Sequence, residues 1–242
     1  MKRLLPFIII LVVLGITLGS AWYLTRTIPA APAASQPAAV VQSQSPSTPG
    51  SQTPAANQPV NPGVPGAEPP HTLGPANAPA HIEEFGDFQC PPCGFFHPIL
   101  EQMEKEFGDK LRVTFREYPL PNHQHAVAAA SAAEAAGLQG KFWQMHKVIY
   151  ENQNDWKDQF DARSLFQDYA QHIGLDIERF KRDMNGSVVQ QRIAQDVKRG
   201  QSLGVKGTPT VFLNGREVPY EDLPADKLRV VIQKAIDDAK QK

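Results

Sequence analysis

The chain has 242 residues, 24 of them basic and 25 acidic, for a net charge of −1 with the two signs interspersed. That balance excludes recruitment of nucleic acid by bulk electrostatics. No internal repeat, phosphate-cradling glycine loop or GxSxG element points to nucleotide binding or serine-hydrolase chemistry.

Residues 1–26 read as a transmembrane anchor. Lys2 and Arg3 precede an uncharged apolar run over residues 4–24. As a helix, such a run reaches roughly 32 Å, enough for a hydrocarbon core about 30 Å thick. The two basic residues place the N-terminus in the cytoplasm and the rest of the chain outside it. A cleaved signal peptide is the competing reading, since Gly19, Ser20 and Ala21 offer a peptidase small residues. The apolar run is longer than the usual signal core, which favours the uncleaved anchor. Both readings export the protein.

Residues 27–70 are rich in Pro, Ala, Ser and Gln, with Glu68 as their only charge. They read as a disordered linker, too poor in apolar surface to offset the entropy of ordering. Fully extended, this tether would reach on the order of 130 Å; as a flexible coil it would average about 35 Å. Residues 71–242 then form one domain long enough for a substantial core.

Within that domain, "AHIEEFGDF" predicts a short strand with Ile82 and Glu84 on one face. Pro91 and Pro92 suit the first turn of a following helix, where a missing N–H costs nothing. Phe95, Phe96, Ile99, Leu100, Met103 and Phe107 form its expected apolar stripe, and Pro98 should kink it. "LRVTFREYPL" predicts a second strand with Val113 and Phe115 on one side. A helical block follows over about residues 122–203, with caps expected at Asp161, Asp176 and Ser187. "TPTVFLNG" and "REVP" flank Asn214-Gly215 and predict a hairpin. A last helix should bury Leu228, Ile232 and Ile236.

The only two cysteines, Cys90 and Cys93, lie in "EFGDFQCPPCGFF" where the first strand hands over to a helix. A structural staple is the weakest explanation, because so short a loop yields only about 2 kcal/mol against nearly 5 for a long one. A zinc site could in principle add His97, His123 and His125, but the spacing resembles no ligand framework, and the last two begin an alanine-rich helix where exposure is expected. A redox pair explains the placement. At a helix N-terminus Cys90 meets unpaired N–H groups and the positive end of the dipole, which favour the thiolate. Cys93, one turn further in, is shielded yet able to resolve a mixed disulfide.

The order of strand, Cys-x-x-Cys helix, strand, helical block, Gly207-Thr208-Pro209-Thr210 and hairpin resembles a thioredoxin fold. "FGDFQCPPC" and the helical insertion are similar to the DsbA family of thiol:disulfide oxidoreductases, in its membrane-anchored bacterial form. The resemblance implies an α/β class and a catalytic Cys90–Cys93 pair. It further implies a cis-proline at Pro209, with Thr208 offering backbone groups to a substrate strand, a buried proton-transferring acid at Glu84 and a structural Pro98. No cofactor and no metal are implied. The implied partners are exported proteins with thiols or disulfides and a membrane redox partner, with the catalytic domain on the periplasmic side of the cytoplasmic membrane. One position departs: Pro91-Pro92 places no histidine between the cysteines, so the thiolate is less stabilised and the disulfide less oxidising. The leading expectation is an enzyme that introduces disulfides. A reductase or isomerase of the same fold is the alternative, and so is a non-catalytic peptide-binding or chaperone module in which Phe88, Phe95 and Phe96 line a groove.

Overall fold

The computed structural model describes residues 63–241. Among them no helix is long and apolar enough to cross a membrane. The apolar segment 4–24 and most of the expected linker lie outside the described residues.

Five strands form one sheet in the order β1-β3-β2-β4-β5. Strand β1 is His71–Leu73, β2 is Ala80–Gly86, β3 is Leu111–Glu117, β4 is Thr210–Leu213 and β5 is Arg216–Glu217. Only β2 and β3 run parallel, as their connection through helix α1 (Pro91–Phe107) requires; the other pairs are antiparallel. β2 is central and buried on both faces, which is why its run of "AHIEEFG" is mostly inaccessible despite two glutamates. The β4–β5 turn places Asn214 and Gly215 at φ 49° and 78°, the left-handed conformations that a two-residue hairpin turn needs.

One face of the sheet carries α1 and the C-terminal helix α8 (Ala225–Ala239). Phe96, Leu100 and Met103 of α1 meet Leu228, Ile232 and Ile236 of α8 over Ile82, Val113 and Val211. All three α8 residues are 0–1% exposed, so each contributes about 1.5–3 kcal/mol of burial. The opposite face carries the C-terminal end of α7 (Ser187–Leu203) beside a small cluster of Phe85, Val205 and Phe212.

The helical block between β3 and β4 has its own core. Helix α2 (Ala126–Gly137) is buried on nearly every side, and its alanines let α3 (Phe142–Glu151), α5 (Arg163–His172), α6 (Ile177–Met184) and α7 approach closely. Between α3 and α5 lies α4 (Gln153–Trp156), a single turn whose Trp156 is fully buried against Phe166.

Four expectations need correction. Phe95 is not part of the apolar stripe: it is 77% exposed, because α1 buries only the face bearing Phe96, Leu100, Met103 and Phe107. Ser187 is the first residue of α7, not its cap; Gly186 occupies the cap position without a side-chain bond. Asp176 does cap α6 by accepting from the N–H of Arg179, whereas Asp161 accepts from the N–H of Arg163 just outside α5. The linker does not extend to residue 70. Ala67 is buried with its N–H donated to Asp196 at 2.7 Å, and residues 71–73 form an unforeseen edge strand on β3.

Candidate redox site

Helix α1 begins at the C-terminal edge of β2, and the two prolines occupy its first positions, where no N–H is needed. Cys90 is the residue before the helix, in extended conformation (φ −69°, ψ 119°), and its carbonyl accepts the N–H of Gly94 at 3.1 Å. The turn ahead of it is fixed by Asp87, only 1% exposed. Its carboxylate accepts from the N–H of Gln89 at 2.8 Å and of Leu120 at 2.9 Å, and meets Nδ1 of His123 at 2.7 Å.

Both cysteines are free thiols, Cys90 at 4% exposure and Cys93 at 0%. The Cys90 thiol donates to the carbonyl of Thr208 at 3.3 Å, across 118 residues of sequence. The Thr208–Pro209 peptide bond is cis, and Pro209 is buried immediately before β4. The hydrogen bond with Cys93 pulls the Cys90 pKa down; burial opposes it, the Thr208 side chain and the Cys93 backbone assist, and the result is a value of about 6. Cys93 moves the other way. Burial pushes it well above the ordinary thiol value, and its hydrogen bond with Cys90 and the nearby Glu84 carboxyl add to the rise. One sulfur is therefore disposed to ionise and the other to hold its proton.

Glu84 lies on the α1 face of β2, paired in register with Phe115 and Val211. It is 2% exposed, and its Oε1 has no hydrogen-bond partner. Burial, reinforced by the charge of Glu104, raises its pKa to about 8. Glu104, half-buried on α1, is raised to about 7, mainly by burial and then by Glu101.

The structure thus brings Cys90, Cys93, Thr208, Pro209 and Glu84 into one neighbourhood. Pro98 lies inside α1, which continues through it. Two of the three histidines considered for zinc are engaged elsewhere: His123 with Asp87, and His125 with the carbonyl of Gln159 at 2.7 Å. Contrary to expectation His125 is buried, at 8% exposure, and the His123 side chain is 20% exposed. Both are held by partners from the site loop and from the segment after α4.

Two contributors escaped the sequence reading. Gln153 on α4 donates both N–H bonds of its amide to the carbonyls of Phe88 (2.6 Å) and Cys90 (2.9 Å), clasping the turn that carries Cys90. No local signal marks it, since the bonds span more than 60 residues. Asp87 did leave one: an Asp binding the N–H two residues on is a common turn device.

Comparison with known proteins agrees with this geometry. A family model described as thioredoxin matches residues 67–236. Among solved structures, oxidised BdbD from Bacillus subtilis superposes with a TM-score of 0.62 at 24% identity, covering 73% of this chain and 100% of that one. A thioredoxin-like oxidoreductase from Silicibacter pomeroyi gives 0.58 at 27% identity, covering 72% and 93%. The thiol-disulfide exchange protein alpha-DsbA2 from Wolbachia pipientis gives 0.58 at 23%, covering 68% and 86%. Among curated proteins, the Na(+)/H(+) antiporter NhaA 1 of Salinispora arenicola is 41% identical over 150 residues, 60% of this chain but 22% of the antiporter. The NhaA 1 of Mycolicibacterium vanbaalenii is 37% identical over 150 residues and 23% of its length. The chain therefore spans less than a quarter of the curated relatives it matches.

Proposed function

Because this chain belongs to the thioredoxin family, we propose that it is a DsbA-like protein thiol:disulfide oxidoreductase that introduces disulfides into exported proteins. The observation that carries this reading is the placement of two free thiols three residues apart, Cys90 at the N-cap of α1 with its sulfur 3.3 Å from the Thr208 carbonyl and Cys93 fully buried behind it. Cys90 is lowered to about 6 beside the Thr208 carbonyl, and Cys93 is raised in the interior. A low thiol pKa makes Cys90 both the better leaving group and the sulfur more stable when reduced, which is what a disulfide donor needs.

In the oxidised enzyme a substrate thiolate attacks the Cys90 sulfur. The Cys90–Cys93 bond breaks, and Cys93 leaves with its electron pair and takes a proton, supplied by Glu84, which is protonated below pH about 8. A second substrate thiolate then attacks the substrate sulfur of the mixed disulfide, and Cys90 leaves as a thiolate. The substrate has lost two electrons and the cysteine pair has gained them. The Thr208-Pro209 segment holds the substrate backbone beside Cys90. A membrane redox partner takes the two electrons, with the domain held outside the cytoplasm by residues 4–24. The antiporters share this region as a minor fraction of their length, which supports reading it as a module separate from ion exchange.

Replacing Cys90 with Ala is expected to abolish oxidation of a reduced test protein; retained turnover would overturn the scheme. Cys93→Ala should instead accumulate enzyme–substrate mixed disulfides, visible by mass spectrometry. A reductase is the second reading, favoured by Pro91-Pro92, which offer the Cys90 thiolate no side-chain donor.

A further inference from the structure

A cavity of about 290 Å³ opens along α1, starting at Pro91 and Gly94, immediately after Cys90, and closed on its far side by the end of α3 and by α4. It lies at the small end of ligand cavities, about 300–1,000 Å³, the size for one long side chain. Its apolar wall includes Pro98, Tyr150 and Phe95. Phe95 keeps 77% of its surface in water while its neighbour Phe96 is buried.

The cavity is lined by two carboxylates, Glu101 and Glu151, together with Gln153, Asn154, His97 and the hydroxyl of Tyr150. Gln153 has spent both amide N–H bonds on the carbonyls of Phe88 and Cys90, which leaves Oε1 to accept. That oxygen packs against residue 94, which has to be glycine because a Cβ there would stand 2.6 Å from it. His97 is 8% exposed, and its Nε2 has no hydrogen-bond partner. It stands 3.9 Å from Glu101 Oε1, beyond hydrogen-bond reach. Glu101 and Glu151 share a single cation, Lys147, and the Glu151 side chain remains 52% exposed.

A guanidinium is the complement of such a site. It carries five N–H donors and no acceptor, keeps its charge, and stacks its plane on aromatic faces. We infer that this cavity is a specificity subsite for an arginine side chain near the reacting cysteine of the substrate polypeptide. The guanidinium lies against Phe95 and donates to the exposed carboxylate of Glu151. This inference rests on the redox reading above and adds to it a preference among substrates.

The test uses the full oxidised chain and three peptide series with one cysteine. Arg, Lys or norleucine is placed at each of the four positions on either side, and the second-order rate of Cys90–Cys93 reduction is followed, with glutathione as a reference thiol. The expected result is a position at which Arg reacts about three- to tenfold faster than norleucine and clearly faster than Lys. Glu151→Gln and Phe95→Ala should each pull that ratio toward one. Equal rates for all three series would overturn the subsite while leaving the redox reading intact. Equal acceleration by Arg and Lys would also overturn it, leaving only general attraction between charges. No exchange with any peptide or with glutathione would remove the redox reading itself, and the subsite with it.

Discussion

Glu83 and Glu84 are neighbours on β2 and lie on opposite faces of the same sheet, yet the protein treats them in contrary ways. Burial alone would raise Glu83, but two arginines outweigh it and hold its carboxyl below the usual range. Arg199 grips both oxygens at 2.7 Å, and Arg116 donates to Oε1 at 2.8 Å. Arg116 also reaches Asp196 at 3.0 Å and the carbonyl of Ala67 at 2.9 Å, so this acid ties β2, β3, α7 and the incoming chain together. Glu84 has no such counter-ion and sits under the redox helix with its pKa raised to about 8. The difference separates a carboxylate that holds the fold from a carboxylic acid kept neutral near Cys93. A buried acid without a partner is a cost to stability, and that cost is concentrated where the chemistry is.

The contrast can be broken from either side. The largest effect is expected for Glu83→Ala, which removes the buried carboxylate shared by Arg116 and Arg199. Urea denaturation should register a loss of about 3–5 kcal/mol; a change below about 1 kcal/mol would show that this face does not depend on its ion pairs. Glu84→Gln should act on pH dependence. The folded protein keeps a proton on Glu84 between about 4.5, the ordinary carboxyl value, and about 8, a range in which the unfolded chain has lost it. This residue therefore makes wild-type stability fall as pH rises through that window, by at most about 5 kcal/mol. In Glu84→Gln that component of the slope should vanish, and denaturation at pH 5 and pH 8 compared with wild type measures it. A smaller effect, about 1–3 kcal/mol, is expected for Gly94→Ala. There the new Cβ presses on Gln153, which two hydrogen bonds hold in place.

The parts of this site legible in the sequence are those that depend on a few adjacent residues. The Cys-x-x-Cys spacing, the prolines that start α1, the Asn214-Gly215 turn and the stripe of α8 are local statements, and local physics is enough to read them. What sequence reasoning missed depends on distant partners. His125 looked exposed at the start of an alanine-rich helix, yet its N–H is bound by Gln89 Oε1 and its ring by the Gln159 carbonyl. Residues 63–70 had the composition of a tether, but Asp196 and Arg116 supply the partners that order Ala67. Phe95 follows the helical spacing of the apolar stripe and still faces water, because that stretch of α1 lines a cavity instead of the core. The opposite fates of Glu83 and Glu84 follow from strand parity, but only the arginines supplied by β3 and α7 decide which one is paired.

The most direct test of the central claim is the equilibrium reduction potential of Cys90/Cys93 against a glutathione series. With Cys90 lowered to about 6, the expected result is a reversible two-electron couple well above the thioredoxin value of about −270 mV and toward the disulfide-donor end near −120 mV. A potential at or below about −270 mV would contradict a disulfide donor and make the protein a reductase. The absence of any reversible couple would contradict the redox assignment altogether.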